Sequence, residues 1–206
     1  MVHGFDLSDI NGEVEWEKIP AHQLPFVYLK ASDGINNLDK RFNVNRQKAK
    51  ANGILTGAYH WLNPKLNCKQ QAEFFVNVVG NFSGELPPAV CLELYRTSIN
   101  DMEKNVRLFI DTLVNFINRK PIIYTSVEYW TANLPKAHWA CQYPLWIDAP
   151  GRKLPFQLYP WASWTFWQYS YKDLIPGVNG YIGVNRFNGN MEELQNLVYA
   201  NKDDVR

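Results

Sequence analysis

Four carboxylates stand where short apolar runs of the sequence end, the position at which a barrel strand passes into a loop. They are Asp6, Asp33, Glu93 and Asp148. A carboxylate beside buried apolar residues is disfavoured unless it is paired or hydrogen-bonded. For each residue alone, a loop cap or an ion-pair partner explains the position equally well. As a set at the carboxyl-terminal ends of parallel strands, they favour an active site that uses carboxyl groups for acid–base chemistry.

Polar aromatic side chains and one amide occupy equivalent positions along the same runs. The residues are Tyr59, His60, Tyr124, Trp146, Trp167 and Gln168. The chain has 8 Trp, 11 Tyr and 11 Phe, more than we expect an ordinary core to need. Sugars present apolar C–H faces and hydroxyl rims, which suit aromatic platforms with OH, NH or amide groups nearby. Because carboxylates are the usual agents of glycosidic cleavage, the four carboxylates and the polar aromatic residues together predict a carbohydrate-binding cleft. We expect some of the aromatic residues to fill the core instead.

The elements that must position these residues are short strands, separated by helices in the first two-thirds of the chain. Apolar runs bounded by Gly, Pro, Asn or Asp predict strands at about Gly4–Leu7, Phe26–Lys30, Ile54–Trp61, Ala89–Leu94, Ile122–Thr125, Leu145–Asp148, Trp164–Gln168 and Ile182–Asn185. Periodic patterns predict helices at about Lys40–Asn52, Lys69–Val79, Val127–Leu134 and Met191–Tyr199, and a longer one after Ser98. In the longer helix we expect one buried stripe, formed by Val106, Phe109, Ile110, Leu113, Phe116 and Ile117.

The order of these elements predicts an α/β fold. Strand–helix alternation indicates parallel strands with helices packed outside, and the number of strands favours closure into a barrel. The last three strands lack clear helices between them, and 206 residues is shorter than the roughly 250 of a regular eightfold barrel. We therefore predict an irregular TIM-like β/α barrel, helix-poor in its C-terminal third, with residues 1–206 as one domain. An open doubly wound sheet is the alternative, although no glycine-rich phosphate loop is present.

Composition and spacing argue against several other classes of protein. The chain has 21 Lys+Arg and 20 Asp+Glu, a formal charge of +1, so we expect neither nucleic acid nor an anionic membrane as partner. It has no membrane-length apolar run, and its first residues do not show the pattern that predicts a signal peptide. The chain has three cysteines, an odd number, at Cys68, Cys91 and Cys141, and they form no C-x-x-C pair. Its histidines lack H-E-x-x-H spacing. We therefore expect no disulfide framework, no metal and no cofactor.

Eight short motifs resemble those of the family 25 glycoside hydrolases, the Chalaropsis-type lysozymes. They occur in the same order as in the family and with similar spacing. The motifs lie at Gly4–Ser8, Phe26–Gly34, Gly57–His60, Leu86–Pro88, Pro121–Ser126, Pro144–Ile147, Phe166–Ser170 and Asn185–Gly189. The resemblance covers nearly the whole chain. It implies an irregular β/α barrel and an N-acetylmuramidase that cleaves the β-1,4 bond between N-acetylmuramic acid and N-acetylglucosamine in peptidoglycan.

The resemblance also implies site residues, and two of the four signature acids of the family are replaced. Glu93 matches the general acid and Asp6 matches the acid of the first strand, whereas Cys91 and Gly183 stand where the family has Asp. Losing a charge-stabilising group can cost about a hundredfold to a thousandfold in rate. Losing a like charge beside Glu93 should also lower the pKa of its carboxyl group. Either Asp33 or Asp148 is a candidate to assist from another strand.

Two functions of different classes follow from this pattern. The first is a peptidoglycan hydrolase, with reduced activity if nothing replaces the missing acids. The second is a catalytically inactive lysozyme-like barrel that binds cell-wall glycan or a protein partner. A third, a hydrolase that uses Cys91 and His60, lacks an oxyanion-hole motif. The resemblance implies a glycan strand as partner, a monomer, and a phage- or bacterium-associated protein that acts on the cell wall, such as an endolysin.

Overall fold

The computed structural model describes residues 1–93, 99–151 and 158–199. In these residues the strands are β1 (Val2–Leu7), β2 (Phe26–Asp33), β3 (Asn37–Leu38), β4 (Leu55–Trp61), β5 (Ala89–Leu92), β6 (Ile122–Ser126), β7 (Leu145–Asp148), β8 (Phe166–Asp173) and β9 (Ile182–Phe187). The α-helices are α1 (Phe42–Ala51), α2 (Cys68–Val79), α3 (Ile99–Ile117), α4 (Val127–Asn133) and α5 (Met191–Tyr199). Three short 3-10 turns lie at Asp9–Asn11, Trp16–Lys18 and His138–Gln142. Leu94 and Ser98, which the sequence analysis placed in a strand and before a helix, lie outside the described residues.

Pairing of β1 with both β2 and β9 closes the sheet into a barrel. Within the described part of the chain, eight strands form the ring in the order β1-β2-β4-β5-β6-β7-β8-β9, and β3 makes a short antiparallel hairpin with the end of β2. Neighbouring strands from β1 through β8 run parallel, but β9 is antiparallel to both its neighbours. The predicted irregular α/β barrel is confirmed.

The direction of β9 was not predicted, and it follows from the short connection before it. Residues 174–181 join β8 to β9, and a parallel crossover needs a dozen residues or more, whereas an antiparallel pair needs only a short loop. The reversal brings the start of β9 to the rim where the parallel strands end. Gly183 consequently pairs with Asp6 there.

Alternate strand residues fill the barrel interior, and most of the aromatic side chains are structural. Phe26, Tyr28, Trp146 and Phe166 pack in the cluster inside the barrel. A larger cluster between the sheet and the helices takes most of the other tryptophans, Trp161, Trp164 and Trp167 among them. Core packing therefore uses most of the aromatic content, which we expected to exceed the needs of an ordinary core.

The helices agree with their predicted ranges to within about two residues where both ends are described. The stripe of α3 is buried at Val106, Phe109, Ile110 and Leu113, but Phe116 is 57% exposed and does not belong to it. None of the helices in the described residues combines the length and the apolar character that a membrane crossing requires.

Candidate active site

A cavity of about 270 Å³ opens at the end of the barrel where the parallel strands finish. Its walls carry the carboxyl groups of Asp6 and Glu93 and the thiol of Cys91. The aromatic side chains that line it are Tyr59, Trp61, Tyr124, Trp146, Tyr171 and Tyr181. Gln168 and Gly183 complete the side nearest to Asp6. Carboxyl groups and flat apolar faces therefore meet in one concave space, as the sequence analysis expected of a sugar-binding cleft.

Asp6 is held at the end of β1 by two amide side chains. Its Oδ2 atom accepts hydrogen bonds from Gln168 Nε2 at 2.5 Å and from Asn185 Nδ2 at 2.8 Å. Both amides are fixed in turn, because the Tyr124 hydroxyl donates to Gln168 Oε1 at 2.7 Å and Trp146 Nε1 donates to Asn185 Oδ1 at 2.8 Å. The network leaves the Asp6 carboxylate little freedom to move.

Burial raises the pKa of Asp6 to about 6, and the negative charge of Asp148 adds to the effect. The hydrogen bonds from Asn185 and Gln168 oppose it, because they stabilise the charged form. Asp6 therefore becomes ionised only as the pH rises through about 6.

Gly183 permits this position of the Asp6 carboxylate. The two residues are partners in the β1–β9 ladder, and a Cβ atom at position 183 would lie 2.5 Å from Asp6 Oδ2 and 2.9 Å from Asp6 Oδ1. Gln168 Nε2 would also overlap it. The carboxylate of Asp6 thus occupies space that any side chain at position 183 would need.

Glu93 follows β5 and faces the cavity two residues after Cys91. The pKa of Glu93 is raised to about 7, mainly by burial and then by the charges of Asp148 and Asp6, while Trp61 and Cys91 oppose the shift. The Cys91 thiol donates a weak hydrogen bond to Glu93 Oε2 at 3.8 Å. The buried indole N–H of Trp61 lies beside these groups without completing a hydrogen bond to any described residue. Glu93 is therefore largely protonated in mildly acidic solution.

Cys91 does not replace a carboxylate. Burial raises the pKa of its thiol well above the usual range, and the charge of Glu93 adds to that shift. The side chain is consequently neutral near pH 7 and contributes no negative charge to the cavity.

Asp148 is buried at the end of β7 and lies outside the cavity lining. The hydroxyl of Tyr171, which does line the cavity, donates a hydrogen bond to Asp148 Oδ1. Burial and this hydrogen bond both raise the pKa of Tyr171, so its hydroxyl remains a donor. Asp148 therefore influences the cavity through Tyr171 and through its charge.

Asp33 is separated from the cavity by its own partners. Its Oδ2 atom lies 2.7 Å from Lys30 Nζ and accepts a hydrogen bond from Asn37 Nδ2 at 2.8 Å. Only Lys30 of this group lines the cavity, with its ammonium 4.6 Å from the centre of the Trp61 ring.

His60 and Trp167 also lie outside the cavity lining, because they point to the outer face of the sheet. Neighbouring residues of a strand face opposite sides, and Tyr59 and Gln168 take the inward positions beside them. His60 contacts Ser32 Oγ through Nδ1 at 2.9 Å and stacks on Phe109, and burial lowers its pKa to about 4. Trp167 Nε1 donates to the Ala149 carbonyl at 3.0 Å within the outer apolar cluster. Both side chains have structural contacts, and the expectation that they line the cleft is not met.

Three aromatic residues of the cavity were not predicted from the sequence: Trp61, Tyr171 and Tyr181. Trp61 follows Tyr59 by two positions on β4, so the twofold repeat of a strand could have identified it. Tyr171 could not be found in this way, because β8 changes register against β9 between Gln168 and Ser170. Such a bulge inserts one residue and reverses the facing of those that follow.

No group of three or more His, Cys, Asp or Glu residues in the described ranges is arranged to hold a metal ion. The chemistry available from the chain's own groups is therefore that of carboxyl groups, held beside aromatic faces and fixed amides.

A barrel that holds two carboxylic acids at the rim where its parallel strands end has the groups that glycoside hydrolysis uses. Residues 5–178 match the family described as "Glycosyl hydrolases family 25". The chain belongs to this family.

Similar proteins and structures agree with this assignment. Lysozyme M1 of Streptomyces globisporus is 31% identical over 97% of this chain and 71% of its own length. The uncharacterized protein YegX of Escherichia coli (strain K12) is 30% identical over 98% of this chain and 75% of its own length. The bacterial lysozyme from Streptomyces coelicolor has a TM-score of 0.91 with 29% identity over 96% of both chains. A muramidase from Acremonium alcalophilum has a TM-score of 0.88 with 28% identity, covering 96% of this chain and 99% of its own.

Proposed function

We propose that the chain is an N-acetylmuramidase, which hydrolyses the β-1,4 bond between N-acetylmuramic acid and N-acetylglucosamine in peptidoglycan. Glu93 carries the proposal, since it is a largely buried carboxyl group on the wall of an aromatic cavity and its pKa is about 7. A general acid needs its proton near the working pH. The similar lysozyme of Streptomyces globisporus and muramidase of Acremonium alcalophilum support the substrate class.

In this proposal Glu93 gives its proton to the glycosidic oxygen as the bond from that oxygen to the anomeric carbon breaks. The bonding electrons leave with the oxygen, and positive charge develops on the sugar. Asp6, ionised above its pKa of about 6, stabilises that charge. Water then adds to the anomeric carbon, and its proton goes to the Glu93 carboxylate, which restores the acid. The partners of the two carboxyl groups support their different roles, because two fixed amides stabilise the charged form of Asp6, whereas Glu93 accepts a weak hydrogen bond from the Cys91 thiol.

The shape of the cavity supports a polymer substrate. A volume of about 270 Å³ is just below the usual range for small-molecule sites, which is roughly 300–1,000 Å³. The cavity thus encloses only part of a glycan strand, and the rest would lie over its mouth. The rings of Tyr171 and Tyr181 at that mouth are 41% and 67% exposed, and each offers an apolar face to a sugar ring.

The second candidate is a barrel that binds cell-wall glycan, or a protein partner, without cleaving the glycan. Cys91 and Gly183 favour it, because neither supplies the carboxylate that the family resemblance implies at its position. In that case the aromatic walls retain the ligand while the acid–base chemistry is incomplete.

Clearing of a purified peptidoglycan suspension tests the two candidates. The protein should lower the turbidity, Glu93→Gln should abolish the effect, and Glu192→Gln, a matched change on the exposed face of α5, should preserve it. Borohydride reduction of the fragments followed by mass spectrometry should give N-acetylmuramitol ends, whereas N-acetylglucosaminitol ends would contradict the bond assignment.

Absence of clearing at every pH between about 4 and 8, together with sedimentation of the protein with peptidoglycan, would favour the binding module. We further propose that the protein acts as a monomer on the bacterial cell wall. Light scattering on the purified chain tests its oligomeric state.

A further inference from the structure

If the chain is a muramidase, Glu93 must keep its proton near the working pH, and both burial and a nearby negative charge favour the protonated form. The family resemblance implies that an Asp two residues earlier on the same strand supplies such a charge, but Cys91 stands there and is neutral. Even so, the pKa of Glu93 is about 7, and after burial the largest cause is the charge of Asp148. The position of Asp148 in the sheet explains this influence.

Strand register places Asp148 at the same level of the barrel as Glu93. Leu92 on β5 pairs with Thr125 on β6, so Glu93 is level with Ser126, which pairs with Asp148 on β7. Two strand spacings separate the backbones of Glu93 and Asp148, about 10 Å. Cys91 and Trp146 face the barrel interior one repeat below them, so alternation turns Glu93 and Asp148 inward as well.

Tyr171 holds Asp148 in this position. Its hydroxyl donates to Asp148 Oδ1, and a donated hydrogen bond stabilises a carboxylate over its neutral acid. The β8 register change turns the Tyr171 side chain toward the cavity. Asp33 has no comparable role, because the ammonium of Lys30 lies 2.7 Å from its carboxylate and offsets its charge.

The other titratable groups that face Glu93 do not provide the missing charge. Among the described residues, those that line the cavity with it are Asp6, Lys30, Tyr59, Cys91, Tyr124, Tyr171 and Tyr181. Tyr59, Tyr124, Tyr171 and Cys91 remain neutral, because burial raises the pKa of each. Lys30 is paired with Asp33. Asp6 raises the pKa of Glu93 less than Asp148 does.

We propose that Asp148, held by the Tyr171 hydroxyl, is a positioning residue that supplies from β7 the negative charge that Cys91 does not supply on β5. The charge adds to the effect of burial, and the two together keep Glu93 protonated as the acid of the proposed reaction. Tyr171 acts through Asp148 and is a second positioning residue.

The pH dependence of kcat/KM on solubilised peptidoglycan tests this role. Asp148→Asn should move the alkaline limb of the profile, where Glu93 loses its proton, to lower pH by about one unit. Activity above pH 7 should then fall by about tenfold, with partial recovery in more acidic buffer. Tyr171→Phe should move the limb in the same direction by less, and Asp148→Glu should restore it. Asp111→Asn, the same change on the exposed face of α3, should leave the limb in place.

A merely structural role would lower the activity at every pH without moving the limb, and that result would overturn the proposal while the muramidase assignment stands. Titration of the Glu93 carboxyl carbon by NMR provides a measurement that does not depend on cleavage. If the wild-type chain cleaves no peptidoglycan, the proposed function fails. Separately, a Glu93 titration that is the same as in the wild type in both Asp148→Asn and Tyr171→Phe overturns this inference. A shift to lower pH in Tyr171→Phe supports the inference even if Asp148→Asn does not fold.

Discussion

Gly183→Ala should disrupt the Asp6 network, although the substitution adds a single methyl group. The new Cβ atom would lie 2.5 Å from Asp6 Oδ2 and 2.9 Å from Asp6 Oδ1, and it would also overlap Gln168 Nε2. All of these separations are shorter than a normal van der Waals contact. The carboxylate therefore has to move, and its hydrogen bonds from Gln168 and Asn185 weaken.

The expected loss of stability combines two effects. Overpacking of a well-packed site costs typically 1–3 kcal/mol, and a weakened hydrogen bond to a charged group costs roughly 1.5–3 kcal/mol. Because the same small displacement produces both effects, they overlap, and we expect a total of about 3 kcal/mol at pH 8. In a chain of this size that corresponds to a decrease in Tm of about 6–12 °C.

Urea denaturation in a double-mutant cycle measures the effect and identifies its cause. Gly183→Ala, Asp6→Ala and the double variant are compared with the wild type at pH 8, where Asp6 is ionised. If the carboxylate causes the clash, Gly183→Ala should cost about 1–2 kcal/mol less in the Asp6→Ala background.

Additive effects in this cycle would refute the reasoning, as would a stability of Gly183→Ala within about 0.5 kcal/mol of the wild type. In either case the Asp6 carboxylate would not depend on the absence of a side chain at position 183. Agreement would instead mean that an acid cannot be restored at position 183 without displacing Asp6.

Three further changes test other parts of the site. In urea denaturation, Glu93→Gln should be more stable than the wild type at pH 8 but not at pH 4. The reason is that the folded-state pKa of Glu93, about 7, exceeds the ordinary 4.5, so the stabilisation by the protonated acid is lost as pH rises through about 7. His60→Ala should cost about 2–4 kcal/mol of stability through lost packing and hydrogen bonding. The pH profile of kcat/KM per folded molecule should stay unchanged, and a shifted profile would contradict the structural role of His60. Cys91→Asp should destabilise the protein by about 1–3 kcal/mol at pH 7, because it adds a buried charge. In the Asp148→Asn background the same change should return the alkaline limb of the kcat/KM profile toward the wild-type pH, and a limb that does not return would refute the exchange of charges between the two positions.

The barrel and the rim acids were accessible from the sequence because each strand ends in a recognisable pattern. Runs such as Leu145–Asp148 pass from apolar residues into a polar end, and the carboxyl-terminal rim of the barrel collects those ends. Adjacent residues of a strand are harder to assign, because a shift of one position reverses the facing. His60 and Trp167 were expected in the cleft, yet Tyr59 and Gln168 beside them take the inward positions.

Other features of the site depend on pairing between distant strands, which local patterns do not encode. The register change in β8 that turns Tyr171 into the cavity is defined only against β9. The clash at Gly183 likewise requires β9 to lie antiparallel to β1. Asp33 resembles the other rim acids in sequence, and only its ion pair with Lys30 distinguishes it.

The two replaced acids affect different parts of the proposed reaction. An electrostatic effect on the pKa of Glu93 depends on the distance and screening of a charge and not on the strand that carries it, so Asp148 can take over that effect from β7. Contact with the developing charge on the sugar cannot be replaced in this way, because it requires a carboxylate on the cavity wall. Among the described residues that line the cavity, Asp6 and Glu93 are the carboxylic acids, and Glu93 must arrive protonated. Asp6 should therefore determine how fast the bond breaks, and Asp148 the pH range over which it can break.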